Sequence, residues 1–201
     1  MKEKRLQISA GALLLAALLY YLSTPTEAIA VLLPLLCHEL GHLIVLYILG
    51  LRVRCFRLEL KGCCIDYSGY TGAMGHVLAA AAGPLAGISY AVMAATLSAR
   101  LELPWLSLSA GISLLLSLFN LLPALPLDGG RIFSALACAL LGDRTGGAVA
   151  DVLGLAVGVL LLSAGILAML RGHGIALALA AIWLLLYQES ALGLVKKREM
   201  I

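Results

Sequence analysis

Charge is what this chain has least of. Lys, Arg, Asp and Glu make up 12% of its 201 residues, apolar types make up 62%, and mean hydropathy is +1.04. An ordinary soluble domain carries about 25% charged residues, so the composition excludes one. Low-complexity segments and internal repeats are also missing, which counts against a transporter assembled from repeated halves. The first apolar run ends in Tyr20-Tyr21-Leu22-Ser23-Thr24-Pro25 and lacks the small-x-small site of a cleaved signal peptide. Five Cys are present, without disulfide logic or zinc-finger spacing. Cys63-Cys64 has no partner pair, and Cys37, beside His38, points about 100° away from it on a helix, as a packing residue does.

What is there is a series of apolar runs of about 20 residues, the signature of helices that cross a bilayer. The expected architecture is an all-α polytopic membrane protein forming a single domain over residues 1–201. Its six spans fall at roughly 8–23, 28–50, 74–98, 104–122, 148–170 and 174–194. Basic residues support that count. Lys2, Lys4 and Arg5 precede the first span; Arg52, Arg54, Arg57 and Lys61 follow the second. Arg131 and Arg144 follow the fourth, and Lys196, Lys197 and Arg198 follow the sixth, leaving Arg100 and Arg171 on the other side. Positive charge stays on the cytoplasmic face, so both termini are expected there. The basic tail then reads as a topology anchor, with no nucleic-acid role.

One stretch breaks the helical pattern. Between Val53 and Tyr70, Phe56, Leu58 and Leu60 alternate with Arg57, Glu59 and Lys61, and Gly62 offers a turn before a second alternating run. A short cytoplasmic β-hairpin is expected after the second span. It serves either as a connector or as an edge strand for an extended peptide. In the third span, Gly83-Pro84 and Gly87 permit close helix approach and a bend. His76 and His173 read as interfacial and exposed residues.

The second span carries His38-Glu39-Leu40-Gly41-His42. At 100° per residue, His42 lies about 40° round from His38 and one turn along, with Glu39 about 60° beyond it. All three polar groups share one arc. Two imidazoles spaced i, i+4 can bind one Zn²⁺, and the Glu between them can serve as a general base toward water. Such groups are expensive in hydrocarbon and functional by default. Catalytic zinc takes three protein ligands, and the best third candidate is Asp128. It follows Pro123 and Pro126 and precedes Gly129-Gly130. The prolines end a helix, and the glycines are expected to form a turn that folds the carboxylate back toward the bundle. Asn120 could hold a substrate carbonyl or backbone, or bond another helix.

His38-Glu39-Leu40-Gly41-His42, then Gly83-Pro84, then Asn120 through Asp128-Gly129 resembles the site-2 protease family of intramembrane zinc metalloproteases. Leu118 to Pro123 with Pro126 to Arg131 is most similar to the bacterial stage IV sporulation protease branch. The resemblance covers residues 28–142 well and the flanking spans by topology. It implies a Zn²⁺ cofactor held by His38, His42 and Asp128, with Glu39 as the catalytic base and Asn120 helping to hold substrate. It further implies cleavage of transmembrane or membrane-associated proteins in or near the bilayer of a bacterial cell. Many members carry a PDZ or nucleotide-sensing domain that this sequence does not show, which implies regulation by a partner subunit or by the substrate. Two rival readings stand beside it. A divalent-metal transporter would also place His and Asp in a membrane, and a non-catalytic scaffold could retain the fold.

Overall fold

The computed structural model describes residues 6–9, 13, 17, 21–59, 62–69, 72–172 and 174–198. Most of the expected first span lies outside the described residues. The chain divides into two compact units, Met1–Leu118 and Phe119–Ile201.

The first unit holds β1 (Leu6–Ile8), α1 (Pro25–Ile48), β2 (Arg52–Glu59), β3 (Gly62–Ser68), α2 (Ala73–Leu101) and α3 (Pro104–Asn120), the last two residues of α3 belonging to the second unit. The start of α1 is fixed locally. Thr24 Oγ1 accepts from the Glu27 amide at 3.3 Å, and Glu27 Oε2 accepts from the Thr24 amide at 2.8 Å. This capping box satisfies donors that a helix start leaves open, and Pro25 at the first helical position lacks one of those donors anyway. Gly50, at φ +68°, takes the left-handed turn just beyond the helix end.

β2 and β3 pair antiparallel, with Phe56 opposite Ile65 and Glu59 opposite Gly62. The alternating pattern thus yields the two expected strands. Gly62, however, belongs to the ladder, and positions 60 and 61, between the strands, lie outside the described residues. β1 adds to the other side of β2 in parallel, with Leu6 opposite Phe56. Nothing in the sequence pattern announced that third strand, since Leu6–Ile8 runs into the first apolar segment.

Within this unit, Tyr90, Ala94, Leu106 and Ala110 form a buried cluster between α2 and α3, and Leu33 and Cys37 of α1 pack against it. Cys37 is therefore a packing residue, as its helical phase requires. Leu46, Leu51 and Ala79 make a second cluster where the end of α1 meets the start of α2. Polar zippering supplements these contacts. Ser109, Ser113 and Ser117 are fully buried on one face of α3. Tyr90 Oη and Ser109 Oγ lie 2.7 Å apart, and Ser113 Oγ donates to the Gly87 carbonyl at 2.8 Å. Lipid gives helices little hydrophobic reason to associate, so small residues and hydroxyl bonds take over that task.

The second unit holds α4 (Asp128–Leu141), α5 (Asp143–Leu170) and α6 (Ala176–Arg198). Here again glycines set the approach of neighbours. A Cβ at Gly165 would lie 2.6 Å from the Ala178 amide nitrogen, and one at Gly158 2.6 Å from a Leu185 methyl. The core is Ala124, Leu127 and Leu184, with Val157, Leu161 and Trp183 packed against it.

Among the described residues, three helices, α1, α2 and α5, are long and apolar enough to cross a membrane, at 24, 29 and 28 residues. α3 and the stretch Ala176–Gln188 are shorter apolar helices. Large apolar side chains such as Ile44, Leu115, Leu160 and Leu170 stand outward on them, 57 to 74% exposed. A face of that kind suits hydrocarbon and not water, so the chain is a multi-pass membrane protein. α4 was not anticipated. Its 14 residues are too few for a span-length apolar run.

Candidate metal centre

The centre of the motif sits on regular helix. Both His38 and His42 belong to α1, and their rings meet edge to face with centroids 4.9 Å apart. The two Nε2 atoms are 3.3 Å from each other. A tetrahedral zinc with bonds of 2.0–2.1 Å separates two ligand nitrogens by about 3.3 Å. The pair therefore has the spacing that one ion needs.

What aims His42 is the neighbouring helix. Its Nδ1–H donates to the Ala79 carbonyl of α2 at 2.7 Å. A carbonyl only accepts, so the proton must sit on Nδ1, and Nε2 keeps the lone pair a metal uses. The ring lies over Gly83, where any Cβ would run into it, with Cε1 at 2.6 Å. Gly41 plays the same part on α1 itself. A Cβ there would come within 2.5 Å of the Ala82 carbonyl oxygen. The motif thus depends on two glycines facing across one helix pair. Gly83 and the Ala79 carbonyl were not identified as site groups from sequence. The signals were the small-residue run around Gly83 and the place of Gly83-Pro84 in the family resemblance, and neither names a partner.

His38 is 4% exposed, and Glu39 and His42 are half-buried. His76 is exposed near the start of α2, and His173 lies outside the described residues.

In the second unit Asp128 is 6% exposed. The expected Asp-Gly-Gly turn is replaced by a helix start. Leu127 is the N-cap residue, and Asp128, Gly129 and Gly130 are the first residues of α4. The carboxylate therefore sits where a helix end favours negative charge. The glycines serve close approach instead of a bend. A Cβ at Gly129 would strike the Leu121 carbonyl, and one at Gly130 would come within 2.6 Å of the Ala124 carbonyl oxygen. The loop after α3 thus lies directly on the first turn of α4, and both its prolines belong to that return. Arg131, one turn on and 54% exposed, holds an Nη1 4.0 Å from Asp128 Oδ1. Asn120 is half-buried at the last position of α3.

No family model matches the chain. In sequence it is 30% identical over 141 residues to "Putative zinc metalloprotease sll0528" of Synechocystis, which covers 67% of this chain and 37% of that protein. It is 34% identical over 137 residues to "Putative zinc metalloprotease Rip3" of Mycobacterium tuberculosis, covering 63% of this chain and 35% of that one. The match thus spans little more than a third of either relative. In structure it is similar to the site-2 protease from Methanocaldococcus jannaschii, with a TM-score of 0.70 and 23% identity over 92% of this chain and 89% of that one. The chain has the site-2 protease fold, and its sequence is similar to proteins that carry zinc metalloprotease names.

Proposed function

We propose that the chain is an intramembrane zinc endopeptidase that cuts transmembrane or membrane-associated proteins in or near the bilayer. The observation that carries this reading is the His38–His42 pair. Two imidazole nitrogens lie 3.3 Å apart on an apolar helix, one of them with its tautomer set by a backbone carbonyl. Asp128 is the third ligand in this reading, so that His38, His42 and Asp128 supply two nitrogens and one oxygen to a single ion. Two imidazoles and a carboxylate are a donor set that would suit a catalytic zinc. When bound, zinc acts there as a Lewis acid and makes water a competent nucleophile near neutral pH.

The chain's own residues do the rest. Glu39 takes the proton from the attacking water and returns it to the leaving amine. His42 keeps its Nδ1 proton on the Ala79 carbonyl throughout. The Asn120 carboxamide holds the substrate backbone, and β3, whose described pairing is with β2 alone, offers its other edge to an extended segment. An intact helix hides its carbonyls from attack, so a substrate must be unwound before it is cut. The motifs around Asn120 and Asp128 favour the stage IV sporulation branch, and the basic residues favour cytoplasmic termini.

The test is zinc content and cleavage on the same detergent-purified samples, for the parent chain, Glu39→Gln and Asp128→Ala, with single-span model substrates. About one zinc per chain, cleavage by the parent, and none by zinc-loaded Glu39→Gln are expected. Zinc loss in Asp128→Ala supports the third ligand, and an unmodified zinc content in that variant removes it. A parent chain that binds no zinc overturns the reading.

A further inference from the structure

Far along α6 lies a polar group that the proposed chemistry does not use. Gln188 is 6% exposed, and neither its Nε2 nor its Oε1 has a hydrogen-bond partner among the described residues. Its surroundings are apolar. Leu184, one turn earlier, is fully buried against Ala124 and Leu127. The chain has also made room for the amide. The place a Cβ would take at Gly154 of α5 is filled by Gln188 Nε2, at 2.5 Å, and Ala124 Cα lies 3.5 Å from that place. A small residue on each neighbour and a carboxamide between them is a built arrangement. An apolar side chain at 188 would pack there without leaving any polar group buried.

A carboxamide buried with both ends unmet is strongly disfavoured, and more so where lipid replaces water. The guest that relieves it must accept from Nε2 and donate to Oε1 together. The buried side chains around it, Ala124, Leu127 and Leu184, do neither, and the Trp183 indole packed against them can only donate. The backbone carbonyls of the loop from Leu121 to Leu127 can accept a further bond, but they cannot donate.

We propose that Gln188 holds a buried water molecule, which ties α6 to the loop from Leu121 to Leu127 that leads into α4. Water both donates and accepts, and it can pass its second hydrogen to a loop carbonyl. Gln188 is then a positioning residue for that loop. The inference is independent of the protease reading, since it needs neither metal nor substrate.

Two measurements test it. The chain has only two Gln, Gln7 and Gln188, so selective ¹⁵N-Gln labelling gives two side-chain amide signals, sorted by a Gln7→Asn variant. The Gln188 amide should show a dipolar cross-peak to water, told apart from proton exchange by its opposite sign in the rotating-frame experiment. The second measurement is the melting temperature of Gln188→Met, which keeps the length and removes donor and acceptor. If a water is bound, the variant strands it and its loop carbonyl, and the midpoint falls by about 3 °C or more. If the amide is simply orphaned, the variant relieves it, and the midpoint stays or rises. Absence of the dipolar cross-peak, or a variant that melts at or above the parent, overturns the proposal. The spectroscopic arm uses the unaltered glutamine, so it decides even if Gln188→Met does not fold.

Discussion

The two units place their candidate ligands by opposite means. In Met1–Leu118 the histidines ride on an unbroken helix, and the spacing between them follows from the helical repeat. In Phe119–Ile201 the aspartate rides on a helix start whose position is set by an irregular loop lying on two glycines. Both units use missing Cβ atoms, but against different obstacles. Gly83 faces the ring of a side chain, whereas Gly129 and Gly130 face backbone. A ring can turn at modest cost; a packed loop cannot shift without unseating the helix that follows it. Damage in the first unit should therefore be local, and damage in the second should spread.

The largest expected effect tests chemistry alone, with both scaffolds intact. Glu39→Gln should lower cleavage by about 10²- to 10⁴-fold while zinc content and melting temperature hold. Activity within tenfold of the parent would remove Glu39 as the base. Next, Gly130→Ala forces a methyl onto the Ala124 carbonyl and should cost about 1–3 kcal/mol, read as a melting temperature lower by about 2–10 °C. A neutral result would show that the loop yields, and the contrast between the units would collapse. Gly83→Ala is the matching change in the first unit. It should weaken zinc affinity by about 10- to 100-fold through a displaced His42, with helicity by circular dichroism kept. Equal zinc affinity in variant and parent would mean that the ring has another acceptable seat. The smallest effect belongs to Ser113→Ala, which removes one hydroxyl bond to Gly87. Such bonds between membrane helices average about 0.6 kcal/mol, so the midpoint should fall by only about 1–3 °C. A much larger drop would make the serine face of α3 the main tie to α2.

That contrast also explains what could be read in the sequence. The pairing of His38 with His42 was legible because a helix converts spacing into geometry with no help from distant residues. The span α2 was legible for a similar reason, as a long apolar run between turn signals. Asp128 was legible as a chemical candidate, by its rarity among apolar neighbours, but its local structure was misjudged. Asp-Gly-Gly suits a turn as well as a crowded helix start, and only the position of Leu121 and Ala124 separates the two. Gly83 belongs with these. Its counterpart, His42, is 41 positions away, and no local pattern records that meeting. α4 escaped notice because hydropathy detects lengths that cross a bilayer, and this helix has only 14 residues.

The parallel pairing of β1 with β2 sets a rule of sidedness. Two strands in one sheet occupy one side of the bilayer, so Leu6–Ile8 and Arg52–Glu59 must face the same compartment. This holds whichever side faces the cytoplasm, and it is independent of any count of apolar runs. Accessibility labels placed beside β1 and beside β2 must therefore report the same compartment, and a split result would mean that the sheet does not form in the membrane.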